Sequence, residues 1–405
     1  MFALAHRRSH ALPRSVLTRA RMTATALVSA LLVAACQPIG MAGTGGSQTG
    51  QMVDPKAPVA VALLAPGGTG SADLEWLSRS LKNAARMAAA DAQGAQIDLR
   101  IYDSGDDAGR AVARATEAAD AGAKVILGPL FADSANAVGN AMASRDINVI
   151  SFSNNADIAG GNVFIIGNSF ANVADRLVSY GVRNGKRRVL TVAEDDVAGQ
   201  VGARAIETAI ARNGATLAGR VTHPVSITGI DGVTPQIAQA AQSGQIDAIF
   251  MTANNQAVLP YLTEKLAAAG VTSQVTQFMG LTRWDEPASR LQLPQLQGGW
   301  FALPDTTRKA AFEARYRAAY GEAPHELAGL AYDSVAAIAA NLRAGKRDAV
   351  ASSGLTQRAG FSGVNGAFRF RPDGTNQRAL AVATIRGNQL VILDPAPRGF
   401  GGFGS

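Results

Sequence analysis

Few side chains in this 405-residue chain could do covalent or acid–base chemistry. There is one cysteine, Cys36, and four histidines, of which His6 and His10 fall in the first 35 residues. His223 precedes Pro224 in what reads as a loop, and His325 follows Pro324 ahead of an apolar helical stretch. A nucleophile needs a base within hydrogen-bond reach, and a catalytic metal needs several ligands at fitting spacing. Neither histidine has a hydrolase-type serine motif or a second metal ligand nearby. Both read as histidines at a surface or a helix entrance. Asp106-Asp107 and Asp195-Asp196 are adjacent carboxylates, but such pairs in loops are ordinarily solvated or cap helices. The loop Pro66 to Ser71 is glycine-rich, yet no Gly-Lys-Ser/Thr follows it, so it reads as the flexible rim of a cleft rather than a phosphate cradle. The expectation is a protein that is not an enzyme, with no catalytic residue, no metal site and no cofactor.

Binding is better served. Lys124 to Asn155 reads as a buried strand at Val125 to Leu127, a turn opened by Gly128-Pro129, a helix from about Ser134, and a strand at Val149-Ile150. Short apolar runs separated by a helix-period segment mark a parallel βαβ unit. Loops after parallel strands gather at the carboxyl edge of the sheet, where ligands bind. Those loops carry Asp133, Ser134, Ser153, Asn154 and Asn155, all polar.

The same pattern extends along the chain. Strands are expected at Val59 to Ala65, Ile97 to Tyr102, Val163 to Ile166, Arg188 to Ala193, Leu217 to Val221, Asp247 to Met251 and Gln277 to Met279. Helices are expected after Ser71 and at Ala108 to Ala121, Ala171 to Tyr180, Val201 to Asn213, Thr234 to Gln242, Ala257 to Ala269, Arg308 to Tyr320 and Leu327 to Leu342. Gly366 to Phe370, Leu380 to Ile385 and Gln389 to Leu393 read as a terminal β-hairpin pattern with turns at Pro372-Asp373-Gly374 and Gly387-Asn388. With 47% hydrophobic and only 17% charged residues, the chain has apolar surface enough for more than one domain.

The start of the chain is of another kind. Five arginines precede an apolar run, Met22 to Ala35, that is short for a membrane span. A basic region, a short apolar segment and the small residues Ala34-Ala35 describe a secretory signal over 1–35. With Cys36 next, the stretch resembles a bacterial lipobox, which implies lipidation at Cys36 and a membrane anchor. Gln37, where an aspartate would favour retention at the inner membrane, implies a lipid-anchored protein facing the periplasm with the outer membrane favoured. Without the five leader arginines, 33 basic residues stand against 31 acidic ones, so the net charge falls from +7 to +2. That balance argues against nucleic acid as a partner. The glycine-rich stretch 36–57 reads as a flexible tether.

VAVALLAP, KVILGPLFADSANAV, INVISFSNNA, DAIFMTANNQAVLPYLTEKLAAAG, QFMGLTRW and GLAYDSVAAIAANL, in this order and spacing, resemble type I periplasmic binding proteins of the Leu/Ile/Val-binding kind. The resemblance implies an α/β, two-lobed fold, each lobe a mostly parallel sheet flanked by helices. It assigns 58–168 and 302–359 to lobe 1, 169–301 and 360–395 to lobe 2, and 396–405 to a tail, with crossings near Asn168, Phe301 and Gly360. It also implies a small-molecule ligand in the cleft between the lobes. In amino-acid receptors of this family a second-lobe acidic residue holds the ligand ammonium, with an aromatic residue nearby. Those positions fall at Thr282 and near Asn254, and Arg283 follows. An ammonium desolvated without a carboxylate is costly. The expectation is therefore no tight binding of free leucine, isoleucine or valine. That departure, with the lipobox, resembles the related penicillin-binding-protein activators, which stimulate a peptidoglycan synthase by contact. The alternative is the substrate-binding component of an amino-acid ABC transporter, whose partner is a permease.

Overall fold

The computed structural model describes residues 48–253 and 257–400. Cys36, the leader and Asn254 lie outside the described residues.

The first α/β series runs β1 (Val59–Ala65), α1 (Ala72–Ala90), β2 (Ile97–Asp103), α2 (Ala108–Asp120), β3 (Val125–Leu127), α3 (Ala132–Ala143), β4 (Asn148–Ser151) and β5 (Val163–Ile165). Its five strands are parallel, in the order β2-β1-β3-β4-β5. Every residue of β1 is buried, as expected of a strand covered on both faces. The alternation of a strand divides them. Val59, Val61 and Leu63 pack with Leu77 and Leu81 of α1, while Ala62 and Leu64 pack with Ala111 and Ala115 of α2 and Val138 and Met142 of α3. Asp107, of one of the acidic pairs, accepts from the Arg110 amide and caps α2.

The second series runs α4 (Phe170–Arg183), β6 (Arg188–Glu194), α5 (Val197–Arg212), β7 (Thr216–His223), α6 (Ile227–Gln242), β8 (Ala248–Met251), α7 (Val258–Ala268), β9 (Gln277–Gly280) and β10 (Trp300–Leu303). After it come α8 (Thr306–Tyr320), α9 (Ala328–Arg343), α10 (Ser352–Leu355), β11 (Phe361–Gly363), β12 (Gly366–Phe370), β13 (Asn376–Arg378), β14 (Ala381–Arg386) and β15 (Gln389–Asp394). The second sheet has the order β15-β14-β10-β9-β8-β6-β7, with β14 and β15 antiparallel additions to a parallel set. Asp196, of the other acidic pair, caps α5 through the Gly199 amide.

Four sequence expectations change. Helix α6 begins at Ile227, not Thr234. Gly229, Gly232 and Pro235 hide its first half from propensity, but Ser226 caps it and the Thr234 hydroxyl donates to the Ile230 carbonyl. Trp300–Leu303, read as a crossing point at Phe301, is strand β10, paired to β9 and β14. Residues 361–378 form a separate three-stranded antiparallel sheet, and Phe361, Phe368 and Phe370 enter the core of the first lobe. The third passage between lobes therefore lies after Arg378, where Leu380 joins the second core, not near Gly360. Lastly, residues 48–57 are held to the first lobe rather than free. The Gly50 amide donates to Asp146, the Thr49 carbonyl accepts from Asn148 and Ser352, and Val53 is buried in the core. Gly50 has φ +92°, and a Cβ there would lie 2.3 Å from the Asn148 amide nitrogen.

Where the chain passes between lobes, a buried polar knot replaces apolar packing. The Arg378 guanidinium donates twice to the Ile166 carbonyl, at 3.0 and 2.7 Å, and lies 3.4 Å from the Asp333 carboxylate on α9. The Asn376 side-chain amide donates to the carbonyls of Ile165 and Gly167, and its oxygen accepts from Asn172 at the start of α4. Two of the passages thus share one hydrogen-bond network, which sets how the two sheets are connected.

Candidate functional site

The first lobe presents its carboxyl-edge loops as one unit. The Gly128 amide donates to the Ile150 carbonyl, and Phe152 N–H and the Ser151 hydroxyl both donate to the Pro129 carbonyl. Gly128 sits at φ +84°, where a Cβ would lie 2.4 Å from the Leu64 carbonyl oxygen, so this turn requires glycine. Asp133 is exposed in the first turn of α3, and Ser134 beside it is buried. In the neighbouring loop, the Ser153 hydroxyl accepts from the Asn155 amide and the Asn155 side chain accepts from the Asp157 amide. Asn155 is thus committed as a cap, whereas Ser153 keeps a hydroxyl proton to donate and Asn154 is exposed.

The Pro66–Ser71 loop is shaped by side chains and is not a free rim. Glu75 accepts from the amides of Gly68 and Thr69 at 2.6 and 2.9 Å, and Arg110 donates to the Gly68 carbonyl. The Thr69 amide first, then those of Gly68 and Gly70, hold the Glu75 carboxyl below its usual range against desolvation. These amides face Glu75 and so do not cradle a phosphate. Beside this loop, Trp76 meets the His325 ring edge-on at 4.7 Å, and His325 Nδ1 accepts from the Leu327 amide. Burial pulls the His325 imidazole below its usual pKa against the charges of Glu326 and Asp73. His223 differs from its sequence reading: it ends β7, is buried, and its Nδ1 donates to the Pro224 carbonyl.

On the second lobe, the loop after β9 is anchored by Trp284. Its indole is fully buried, stacks on Phe301 at 6.4 Å, and occupies the space that Cβ atoms on Gly280 and Gly299 would need. With Trp284 inward, Thr282 is left partly exposed, its hydroxyl donating to the Ala253 carbonyl at 3.2 Å. Arg283 does not stand as an unpaired cation beside Thr282. Its guanidinium is clamped by Asp285 and by Glu286 at 2.7 Å. Burial opposes its charge, yet Asp285, Glu286 and the charge of Glu326 from the α8–α9 connection hold its pKa above the usual value. Electrostatic coupling to Glu326 relates this loop to the segment that carries His325.

A buried acid absent from the sequence-derived site stands two strands away. Glu194 ends β6 at the carboxyl edge of the second sheet and is 1% exposed. Its amide donates to the Thr252 hydroxyl just after β8. Gly199 lies against it, since a Cβ there would meet the Glu194 carbonyl oxygen at 2.2 Å. The neighbouring Asp195-Asp196 pair makes the stretch read as a solvated turn, so only burial singles Glu194 out. Among the described residues no group of three or more His, Cys, Asp or Glu side chains could hold a metal ion, and no helix is long and apolar enough to cross a membrane.

The chain shares its fold with solved periplasmic receptors. A structure titled as a putative branched-chain amino acid ABC transporter from Rhodospirillum rubrum aligns with a TM-score of 0.69 and 18% identity, over 83% of this chain and 99% of that one. An ABC transporter substrate-binding protein from Desulfitobacterium hafniense in complex with Leu aligns at 0.59 and 18%, over 83% and 100%. An ABC transporter solute-binding protein from R. palustris in complex with benzoate aligns at 0.52 and 17%, over 85% and 97%. At these identities the likeness is one of fold: two lobes, each a mostly parallel sheet flanked by helices. No curated protein sequence matches the chain. The family model described as "Periplasmic binding protein" matches residues 58–389, and the chain belongs to that family.

Proposed function

We propose that this chain is the substrate-binding component of an ABC transporter for a small molecule of the amino-acid class, and acts by binding rather than by catalysis. The observation that carries this reading is Glu194, a buried carboxylate at the carboxyl edge of the second sheet. Beside the lipobox, which suits a receptor equally, the resemblance to activators of a peptidoglycan synthase depends on Thr282 standing where an acid is expected and on Arg283 beside it. Glu194 supplies an acid from β6 instead, and Arg283 is neutralised within its own loop by Asp285 and Glu286. The solved structures of like fold named above are transporter components, which supports the same reading.

In this proposal Glu194 meets the ligand ammonium. The first-lobe loops, through Ser134, Ser153 and Asn154, meet its carboxylate, and Thr282 borders the ligand. Asp133 and Asn155 shape the first-lobe loops. Trp76 and His325 form the apolar lip on the first lobe. A hydrogen bond to a charged group is worth about 1.5–3 kcal/mol, so Glu194→Gln should weaken a cationic ligand roughly 10- to 100-fold. Cys36 is the proposed lipid attachment site that keeps the receptor on a membrane facing the periplasm.

Cross-linking the lipidated full chain in envelopes of the source bacterium tests the partner. A co-captured ABC permease supports the proposal. Capture of a peptidoglycan synthase without any permease would reject it.

A further inference from the structure

We infer that a second site, separate from the strand-edge loops above, binds a small organic anion carrying two or more carboxylates, in a cavity between α4, the β13–β14 passage and the end of the described chain. The cavity measures about 680 Å³ and is lined in part by Arg176, Arg183, Arg369, Asp394 and Phe400. That volume is in the range of small-molecule sites, ~300–1,000 Å³.

The strand pattern explains how cations come to line it. Along β12, Phe368 and Phe370 turn into the first core, so Arg369 falls on the opposite face and lines the cavity, with Arg371 just beyond the strand. Arg369 is fixed as a fork. Its Nε and Nη2 both donate to Gln377 Oε1 at 2.9 and 2.7 Å, Nη1 donates to the Arg358 carbonyl, and the guanidinium lies 4.9 Å over the Phe400 ring. A guanidinium so held presents its remaining N–H groups in a planar pattern that matches a carboxylate.

The protein neutralises the arginines only in part. Among the described residues the ion pairs include none to Arg369 or Arg371, while Arg176 and Arg183 share one carboxylate, Asp394. Burial first, and then the charges of Arg212 and Arg369, pull the Arg371 pKa down against Asp175 and Asp373. Like charges gathered in a half-enclosed space repel one another unless an anion joins them. Asp175, which accepts from Asn213, is the acid on α4 that faces this group. The apolar wall of Leu380 and Phe400 suits the carbon skeleton of an organic anion over a bare inorganic one.

The test is calorimetric titration of the full chain with citrate and, separately, with inorganic phosphate, at constant ionic strength set with chloride. Citrate should bind saturably, one per chain. The variant R369Q should bind it at least ten-fold more weakly with an unchanged melting temperature. Asp175→Asn, which removes a competing negative charge, should bind it several-fold more tightly, a gain that misfolding cannot produce. The inference is overturned if citrate does not saturate, if phosphate alone binds, or if neither variant shifts the citrate affinity.

Discussion

Replacing Arg378 with methionine would strand a carboxylate in the connection between the lobes. Asp333 is fully buried and Arg378 is 4% exposed. Methionine keeps much of the stem packed near Phe368, over which the guanidinium now lies at 5.1 Å. It removes both donors to the Ile166 carbonyl and leaves Asp333 with the Val364 amide at 2.7 Å. Breaking a buried ion pair from one side costs about 3–5 kcal/mol, because the remaining charge is uncompensated. Asp333→Asn should cost a comparable amount, and the double variant R378M/D333N less than the sum by about 2 kcal/mol or more. The effect should also depend on pH. Burial pushes the Asp333 carboxyl up to about 6, although Arg378 and the Val364 amide pull it down. An acid raised on folding favours the protonated form. Its contribution to stability is full below its unfolded pKa of about 4 and is lost as pH rises through about 6. Without Arg378 the carboxyl should titrate higher still, so R378M should be less destabilised relative to wild type at about pH 5 than at about pH 8. Urea unfolding at those two pH values measures this. A loss below about 1 kcal/mol, strict additivity in the double variant, or the same loss at both pH values would refute the reasoning.

Trp284→Ala should cost about 3–5 kcal/mol by emptying the space between Gly280 and Gly299, and denaturant melts showing a loss below about 1 kcal/mol would contradict the anchoring role. Gly128→Ala should lower stability by more than about 1 kcal/mol, since φ +84° and the Leu64 carbonyl both exclude a Cβ; an unchanged melting temperature would show that the turn tolerates one. Cys36→Ala should abolish membrane retention in detergent phase partitioning, and unchanged partitioning would remove the lipid anchor from the account.

Much of the architecture is legible in the sequence where burial is two-sided. Val59–Ala65 and Val125–Leu127 read as strands and are strands over those same residues, since continuous apolar runs bounded by turns have few other solutions. The type I periplasmic binding protein resemblance is likewise matched by the family and the fold. Legibility fails where a local signal opposes tertiary context. The glycines and Pro235 conceal the start of α6, and the glycines around Thr49 and Gly50 mimic a loose tether although hydrogen bonds to Asp146 and Ser352 and from Asn148 hold that stretch. The candidate site is the least legible part. The loops with Ser153, Asn154 and Thr282 sit at strand ends as expected, but the hydrogen bond of Asn155 to its own turn, the clamp on Arg283 and the burial of Glu194 depend on side-chain directions that spacing does not encode. One aligned position does not exhaust the acids of a sheet edge, since Glu194 ends a strand two places from β9 in the same sheet.

The most direct test is calorimetric titration of the purified chain with each of the twenty common amino acids. The account predicts saturable one-to-one binding of at least one of them, weakened roughly 10- to 100-fold in Glu194→Gln while the melting temperature without ligand is preserved. Absence of binding by all twenty, or a binding amino acid whose affinity is untouched by Glu194→Gln, would contradict it.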